Sequence, residues 1–195
     1  LGMYNCSCIY NFFQKKIPKS FIQKKTLNIF FIGRFSLEKD PLFFLKNLTD
    51  IANINIHLVG DGSLLKKLKI LSSNKKNVFF HKYTDNPIKI FKNKIDLLCV
   101  TSKYEGTPNI MGEAMAYSVP VLAPAGIGLT KLFLKNGQVG YLYKLNDSKS
   151  FRHKVMQVIG NYPLAISKAR KAHKSINRFS LNNTLYKIDR IISKI

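Results

Sequence analysis

The sequence predicts an α/β fold, a doubly wound parallel sheet, on three observations. Short apolar runs alternate with stretches of helical period from Leu27 onward, several of those runs close on glycine, and 195 residues at 46% apolar composition suffice for one well-filled core. Strands covered on both faces read as near-continuous apolar runs, and intervening helices return the chain so that successive strands run the same way. In such sheets ligands sit beyond the carboxyl ends of the strands.

The elements follow in order. Asn28 to Ile32 reads as a buried strand ending at Gly33, and Asp40-Pro41 then supplies an N-cap with proline at the first helical position. Leu42, Leu45, Leu48 and Ile51 predict a helix of about three turns. Ile54 to Val59 is a second strand closed by Gly60-Asp61-Gly62, after which Ser63 is placed to cap an amphipathic helix carrying Leu64, Leu65, Leu68 and Leu71. Asn77 to Tyr83 is extended, and a short helix from about Asn86 to Lys92 leads into the strand Ile95 to Val100. A helix from about Asn109, a strand Val119 to Ala123, a helix near Leu129 to Lys135 and a turn at Asn136-Gly137 come next. A short strand around Val139 to Leu145 and helices near Ser148, Leu164 and Leu181 complete the pattern. Residues 1–25 show no sustained period and read as a connecting segment, residues 26–178 as the sheet domain and residues 179–195 as a terminal helix with an apolar stripe.

The formal net charge is +22, from 32 Lys and Arg against 10 Asp and Glu. Such a field attracts nucleotide diphosphates and acidic membranes, although lysine that arrives with abundant Asn, Ile and Phe also fits a biased genome filling surface positions. The charge alone suggests a nucleic-acid binder, but helix-turn-helix, zinc-finger and aromatic strand-face signatures are missing, so no nucleic-acid partner is expected. Cys6 and Cys8 lack the spacing of a zinc knuckle, Cys99 falls in an apolar run, and the four histidines are scattered, so neither a disulfide framework nor a metal site is expected. No stretch reaches the roughly 20 apolar residues of a membrane span, and the start of the chain lacks signal-peptide features. A cytoplasmic protein is expected.

The loops that carry chemistry are Gly33 to Lys39, Gly60 to Gly62, Thr101 to Asn109 and Ala123 to Leu129, each following an expected strand. Arg34 and Lys39 put a guanidinium and an ammonium at one strand end, where they could neutralise a diphosphate or simply be solvated surface charge. The segment Tyr104 to Ala116 sets Glu105 in a loop and Glu113 about one turn into a helix. Free amides near Asn109 to Met111 would attract phosphate, and a carboxylate one turn deeper can accept two ribose hydroxyls. Taken singly, Glu105 reads rather as an ordinary loop acid and Glu113 as a buried helix-start carboxylate.

Their joint spacing is more specific. Glu105 and Glu113, with seven residues between them and flanked by E-G-T-P-N and E-A-M-A, resemble the E-x7-E motif of the family 4 retaining glycosyltransferases. Gly33-Arg34 with Glu38-Lys39 resembles that family's G-R-x-x-x-E-K loop, and Val59 to Gly62 its V-G-x-G segment. Ile9-Tyr10-Asn11 resembles the linker entering the family's C-terminal domain, and Arg178-Phe179-Ser180 the opening of its terminal helix.

The resemblance implies a single Rossmann-like domain, the C-terminal, donor-binding half of the two-domain GT-B fold. It implies that Arg34 and Lys39 bind the donor diphosphate, that Glu113 takes the ribose hydroxyls and that Glu105 is the catalytic-site carboxylate beside the donor sugar. Asn109 and Ile110 would offer backbone amides to phosphate, with Gly33, Thr107 and Pro108 completing the donor site. Members transfer a sugar from a nucleotide-diphosphate donor, here UDP- or GDP-linked, with retention and without an obligatory metal or other cofactor. Retention is discussed as a front-face, ion-pair-like substitution, so a two-carboxylate hydrolase scheme is not imposed. The implied acceptor is a glycan or lipid-linked molecule, the implied partner a separate acceptor-binding domain, and the implied location the cytoplasm, with peripheral contact to anionic membrane at its inner face. An inactive nucleotide-sugar-binding fragment is the alternative. One departure stands out: Thr130 and Lys131 occupy positions after the Gly126 to Gly128 loop where members often carry an acid.

Overall fold

A computed structural model describes residues 11–22 and 24–193; Cys6, Cys8, Ile9 and Tyr10 lie outside the described residues. Strands β1 (Leu27–Ile32), β2 (Ile54–Val59), β3 (Val78–His81), β4 (Leu97–Cys99), β5 (Val121–Ala125) and β6 (Tyr141–Lys144) form one sheet in the order β3-β2-β1-β4-β5-β6, every pair parallel. The chain winds outward from β1 in one direction through β3, then returns to pair β4 on the other side of β1. This is the doubly wound order of the Rossmann fold, whose strand-order reversal leaves a crevice at the carboxyl ends of β1 and β4.

Alternation along β1 shows how both faces are filled. Ile29 and Phe31 point into a core packed by helices α1 (Pro41–Lys46), α2 (Leu65–Leu71) and α6 (Ser148–Gly160). Phe30 points into a second core with α3 (Pro87–Phe91), α4 (Asn109–Ala116), α5 (Thr130–Phe133) and the end of α7 (Tyr162–Ser175). Each fully buried Phe, Leu or Ile contributes roughly 1.5–3 kcal/mol.

Several sequence expectations need correction. Helix α1 starts at Pro41 with Asp40 capping the Phe43 amide at 3.0 Å, as expected, but ends at Lys46 rather than running three turns. The Asn47 amide side chain takes the Phe43 carbonyl, and the chain continues in tighter turns, Leu48 N–H to Leu45 O and Ile51 N–H to Leu48 O. The three-residue spacing of Leu42, Leu45, Leu48 and Ile51 suits those turns better than an α-helix. Ser63 does not cap α2; Leu64 precedes the helix without a side-chain cap, and its amide is held by the Phe35 carbonyl at 3.0 Å. Strand β5 runs to Ala125, so Ala123, Pro124 and Ala125 lie in the sheet rather than in a loop. Proline is tolerated at 124 because the pairing of β5 with β4 has already ended at Leu122.

Residues 11–22, read as a plain connector, are pinned to the domain. Phe13 N–H bonds the Phe179 carbonyl at 2.8 Å, Lys16 and Lys19 N–H bond the carbonyls of Ala116 and Tyr117, and Phe13 is buried over Gly112. At the amino ends of the strands the buried Asp96 gathers Lys24 at 3.0 Å, Tyr162 Oη at 3.0 Å, the Asn28 amide at 2.9 Å and the buried Lys19 at 3.6 Å. Helix α8 (Leu181–Ile192) has no buried residue, and its stripe leaves Leu181, Leu185 and Ile192 exposed while Ile188 and Ile191 are partly covered.

Gly60 shows how tightly the strand-end loops nest. Its φ is 144°, and a Cβ there would run into the Gly33 carbonyl. Gly60→Ala is therefore expected to cost about 2 kcal/mol or more of stability, read as a lowered urea midpoint. An unchanged midpoint would show that the two loops do not approach this closely.

Candidate functional site

Seven of the ten acidic residues, Glu38, Asp40, Asp61, Asp85, Glu105, Glu113 and Asp147, lie on loops or a helix start at the carboxyl end of the sheet. In a chain where lysine is everywhere, this distribution of acids marks one edge more clearly than the basic residues do.

The loops after β1 and β4 are stitched together. Thr101 Oγ1 donates toward the Lys39 and Asp40 carbonyls at 3.0 Å each, Lys103 N–H bonds the Glu38 carbonyl at 2.8 Å, and Lys103 Nζ lies 3.2 Å from Asp40. The fixed backbone delivers Lys39 Nζ to Glu105 Oε1 at 2.7 Å, with Glu38 at 3.4 Å. The buried Ser102 hydroxyl donates to the same Glu105 oxygen at 2.7 Å, while Oε2 has no hydrogen-bond partner among the described residues. From the other side, the loop after β5 presses on the Glu105 backbone. Gly128 (φ 41°) abuts the Glu105 carbonyl so closely that a Cβ would collide with it, and Leu129 N–H bonds the Gly106 carbonyl at 3.1 Å. Thr130, where an acid was looked for, is fully buried and ties that loop through Pro124 O at 2.7 Å and Ile127 O at 2.9 Å.

Two adjoining hollows open at this edge. The smaller, about 220 Å³, is lined by Gly33, Lys39, Ser102, Glu105, Thr107, Pro108, Asn109 and Ile110. The larger, about 380 Å³, contains Gly33, Arg34, Gly60, Asp61, Tyr83, Asp85, Ile110 and Glu113. Gly33 and Ile110 belong to both, so all the donor-site residues named from the sequence fall in one continuous crevice, split between a Lys39–Glu105 side and an Arg34–Glu113 side. Arg34 is exposed and makes no ion pair or side-chain hydrogen bond among the described residues. Helix α4 begins after Pro108 with no side-chain cap, and the amides of Asn109 and Ile110 meet no acceptor among the described residues. Asn109 and Ile110 line the smaller hollow and Ile110 the larger as well, so the positive end of the helix dipole lies at the crevice.

Glu113 is half-buried, and desolvation pushes its carboxyl above the ordinary carboxylate range. Sequence reasoning missed three participants. Ser102 comes two residues after the apolar run that ends at Val100, a signal that was available. Tyr83 and Asp85 wall the larger hollow from the exit of β3, a strand end outside the loops singled out from the sequence. Among the described residues no group of three or more His, Cys, Asp or Glu is arranged to hold a metal ion.

Fold and crevice together define a Rossmann-like domain of the type found in GT-B glycosyltransferases. The chain belongs to the family described as glycosyl transferases group 1, whose pattern matches residues 12–177. A solved structure of a mutant of S. aureus TarM in complex with fondaparinux, alpha-GlcNAc-glycerol and UDP superposes with a TM-score of 0.84 at 26% identity, over 97% of this chain and 40% of that one. An uncharacterized 41.2 kDa protein in the cps region of Klebsiella pneumoniae is 27% identical over 157 residues, 77% of this chain and 40% of its own length. The UDP-Gal:alpha-D-GlcNAc-diphosphoundecaprenol alpha-1,3-galactosyltransferase of Escherichia coli is 27% identical over 170 residues, 82% of this chain and 43% of its own. The chain thus spans less than half the length of these relatives.

The burial of Glu113 predicts a trade between stability and binding. With its folded pKa raised, the unfolded chain releases this proton at lower pH than the folded one, so stability falls as pH rises through the interval between the two values. Glu113→Gln is expected to raise the thermal midpoint at pH 7, with the difference vanishing below about pH 4 where both states hold the proton. A lowered midpoint at pH 7 would contradict the desolvated carboxylate.

Proposed function

We propose that this chain is the donor-binding half of a retaining glycosyltransferase that moves a hexosyl group from a UDP- or GDP-linked sugar to a glycan or lipid-linked acceptor. The observation that carries the reading is the single crevice in which Arg34, Lys39, the free amides of α4, Glu105 and Glu113 converge. Charge on the departing diphosphate would be met by Arg34 and the amides of Asn109 and Ile110, and by Lys39 once it leaves Glu105, with no metal or other cofactor needed. Gly33 lets the diphosphate approach the backbone, Thr107 and Pro108 shape the turn into α4, Glu113 accepts the ribose hydroxyls, and Glu105 receives hydroxyls of the donor sugar. The galactosyltransferase relative, named for a diphosphoundecaprenol-linked substrate, supports the acceptor class.

In this reading residues 26–178 form the nucleotide-sugar-binding unit, residues 1–25 the linker and residues 179–195 a helix that crosses to an acceptor-binding domain. The exposed face of α8 is consistent with that role. No described helix is long and apolar enough to cross a membrane. The reading places the protein in the cytoplasm and in peripheral contact with anionic lipid at the inner face of the membrane. Flotation with phosphatidylglycerol vesicles tests the contact, and equal recovery with neutral vesicles would remove that part of the proposal.

Calorimetric titration with UDP, GDP and ADP tests the site itself. Saturable binding of one nucleotide is expected with magnesium present or chelated, weakened about ten- to hundredfold in Arg34→Ala. Glu113→Ala should weaken it as well. A folded chain that binds none of the three would contradict the donor-site reading, and binding abolished by chelation would contradict metal independence.

A further inference from the structure

Lys39, assigned to the donor diphosphate, is already engaged. Its ammonium sits 2.7 Å from Glu105 and 3.4 Å from Glu38, and the Glu105 carboxylate is only 12% exposed, so solvent screens this pair far less than a surface ion pair. An incoming diphosphate can take Lys39 only by displacing Glu105. Glu105 cannot follow the lysine, because its carbonyl abuts Gly128, the next residue's carbonyl is held by Leu129 N–H, and its Oε1 also accepts from Ser102.

We infer that Lys39 and Glu105 form an exchangeable internal ion pair through which the site distinguishes an intact nucleotide sugar from a spent nucleoside diphosphate. The inference rests on the donor-site reading above. When diphosphate draws the ammonium away, Glu105 is left as a desolvated carboxylate that needs new hydrogen-bond donors. A nucleotide sugar brings them as hydroxyls on the sugar, and the open Oε2 is available to receive one. A nucleoside diphosphate, whose ribose hydroxyls go to Glu113, brings none to Glu105, so Glu105 competes to recover Lys39 and the nucleotide is held less firmly. The same carboxylate that receives the sugar thereby weakens the hold on the product once the sugar has left.

The consequence runs against the usual effect of removing a site residue. Glu105→Gln keeps the length of the side chain and its hydrogen bond with Ser102 but removes the charge that claims Lys39. In the intact 195-residue chain this variant is expected to bind UDP or GDP, whichever the native protein prefers, about three- to tenfold more tightly than the native protein. The gain should shrink below about twofold when Lys39→Ala is present in both members of the comparison, because the pair that competes with phosphate is then gone. The corresponding UDP- or GDP-glucose should show a smaller gain than the bare diphosphate, or a loss. Glu105→Ala serves as a second variant and is expected to tighten diphosphate binding in the same direction. Unchanged or weaker diphosphate binding by folded Glu105 variants, judged by a native unfolding midpoint, overturns the exchange. An equal gain in the Lys39→Ala background also overturns it, since repulsion by Glu105 alone would then account for the effect. Failure of native and variant chains alike to bind any nucleotide overturns the donor-site reading and the exchange with it.

Discussion

The pairing of β1 with β2 on one side and β4 on the other is the constraint on which the rest depends. A strand flanked by its sequence neighbour on one edge and by a strand some 65 residues later on the other must have crossovers leaving in opposite directions, so no helix covers the space above its carboxyl end. Gly33 to Lys39 and Thr101 to Asn109 therefore face each other there. The bonds from Thr101 and Lys103 to the Glu38–Asp40 backbone then fix that meeting at hydrogen-bond resolution.

Electrostatics at this edge differ from those of the chain as a whole. A net charge of +22 supplies a long-range attraction for diphosphate but no address. Address comes from the few acids, which neutralise Lys39 and border Arg34, and from α4, whose unpaired amides add partial positive charge where the two hollows meet at Ile110. At the opposite edge, Asp96 with Lys19, Lys24 and Tyr162 forms a separate buried polar cluster that fastens the incoming segment to the sheet. One end of the domain is held together by buried charge, and the other combines the paired Lys39 and Glu105 with Arg34 and the α4 amides, which have no partner among the described residues.

What could be read from the sequence divides along physical lines. Strand identities, and the helix begun by Asp40, were legible because burial periodicity and capping are local. Arg34, Lys39, Glu105 and Glu113 were legible as a set only through their spacing; the burial that raises the Glu113 pKa and the partner that holds Glu105 depend on contacts across the sheet. The end of α1 was misjudged because leucines three apart fit both an α-helix and a run of tighter turns, and at Asn47 the backbone and side-chain amides both bond the Phe43 carbonyl where the helix ends. The role of residues 11–22 was hidden for a different reason. An extended segment that bonds to Ala116, Tyr117 and Phe179 has no period of its own, and Phe13 is explained only by the missing side chain of Gly112 beneath it.

The central claim is that diphosphate settles in the crevice between the ends of β1 and β4, with α4 beneath it. Amide chemical-shift mapping of the isotopically labelled chain during titration with UDP and GDP tests this most directly. The account predicts that the largest saturable shifts cluster at Gly33 to Lys39 and Thr107 to Glu113, with the backbone around Asp96 and Lys19 unmoved. Shifts centred on the Asp96 end, or scattered over surface lysines without saturation, would contradict it.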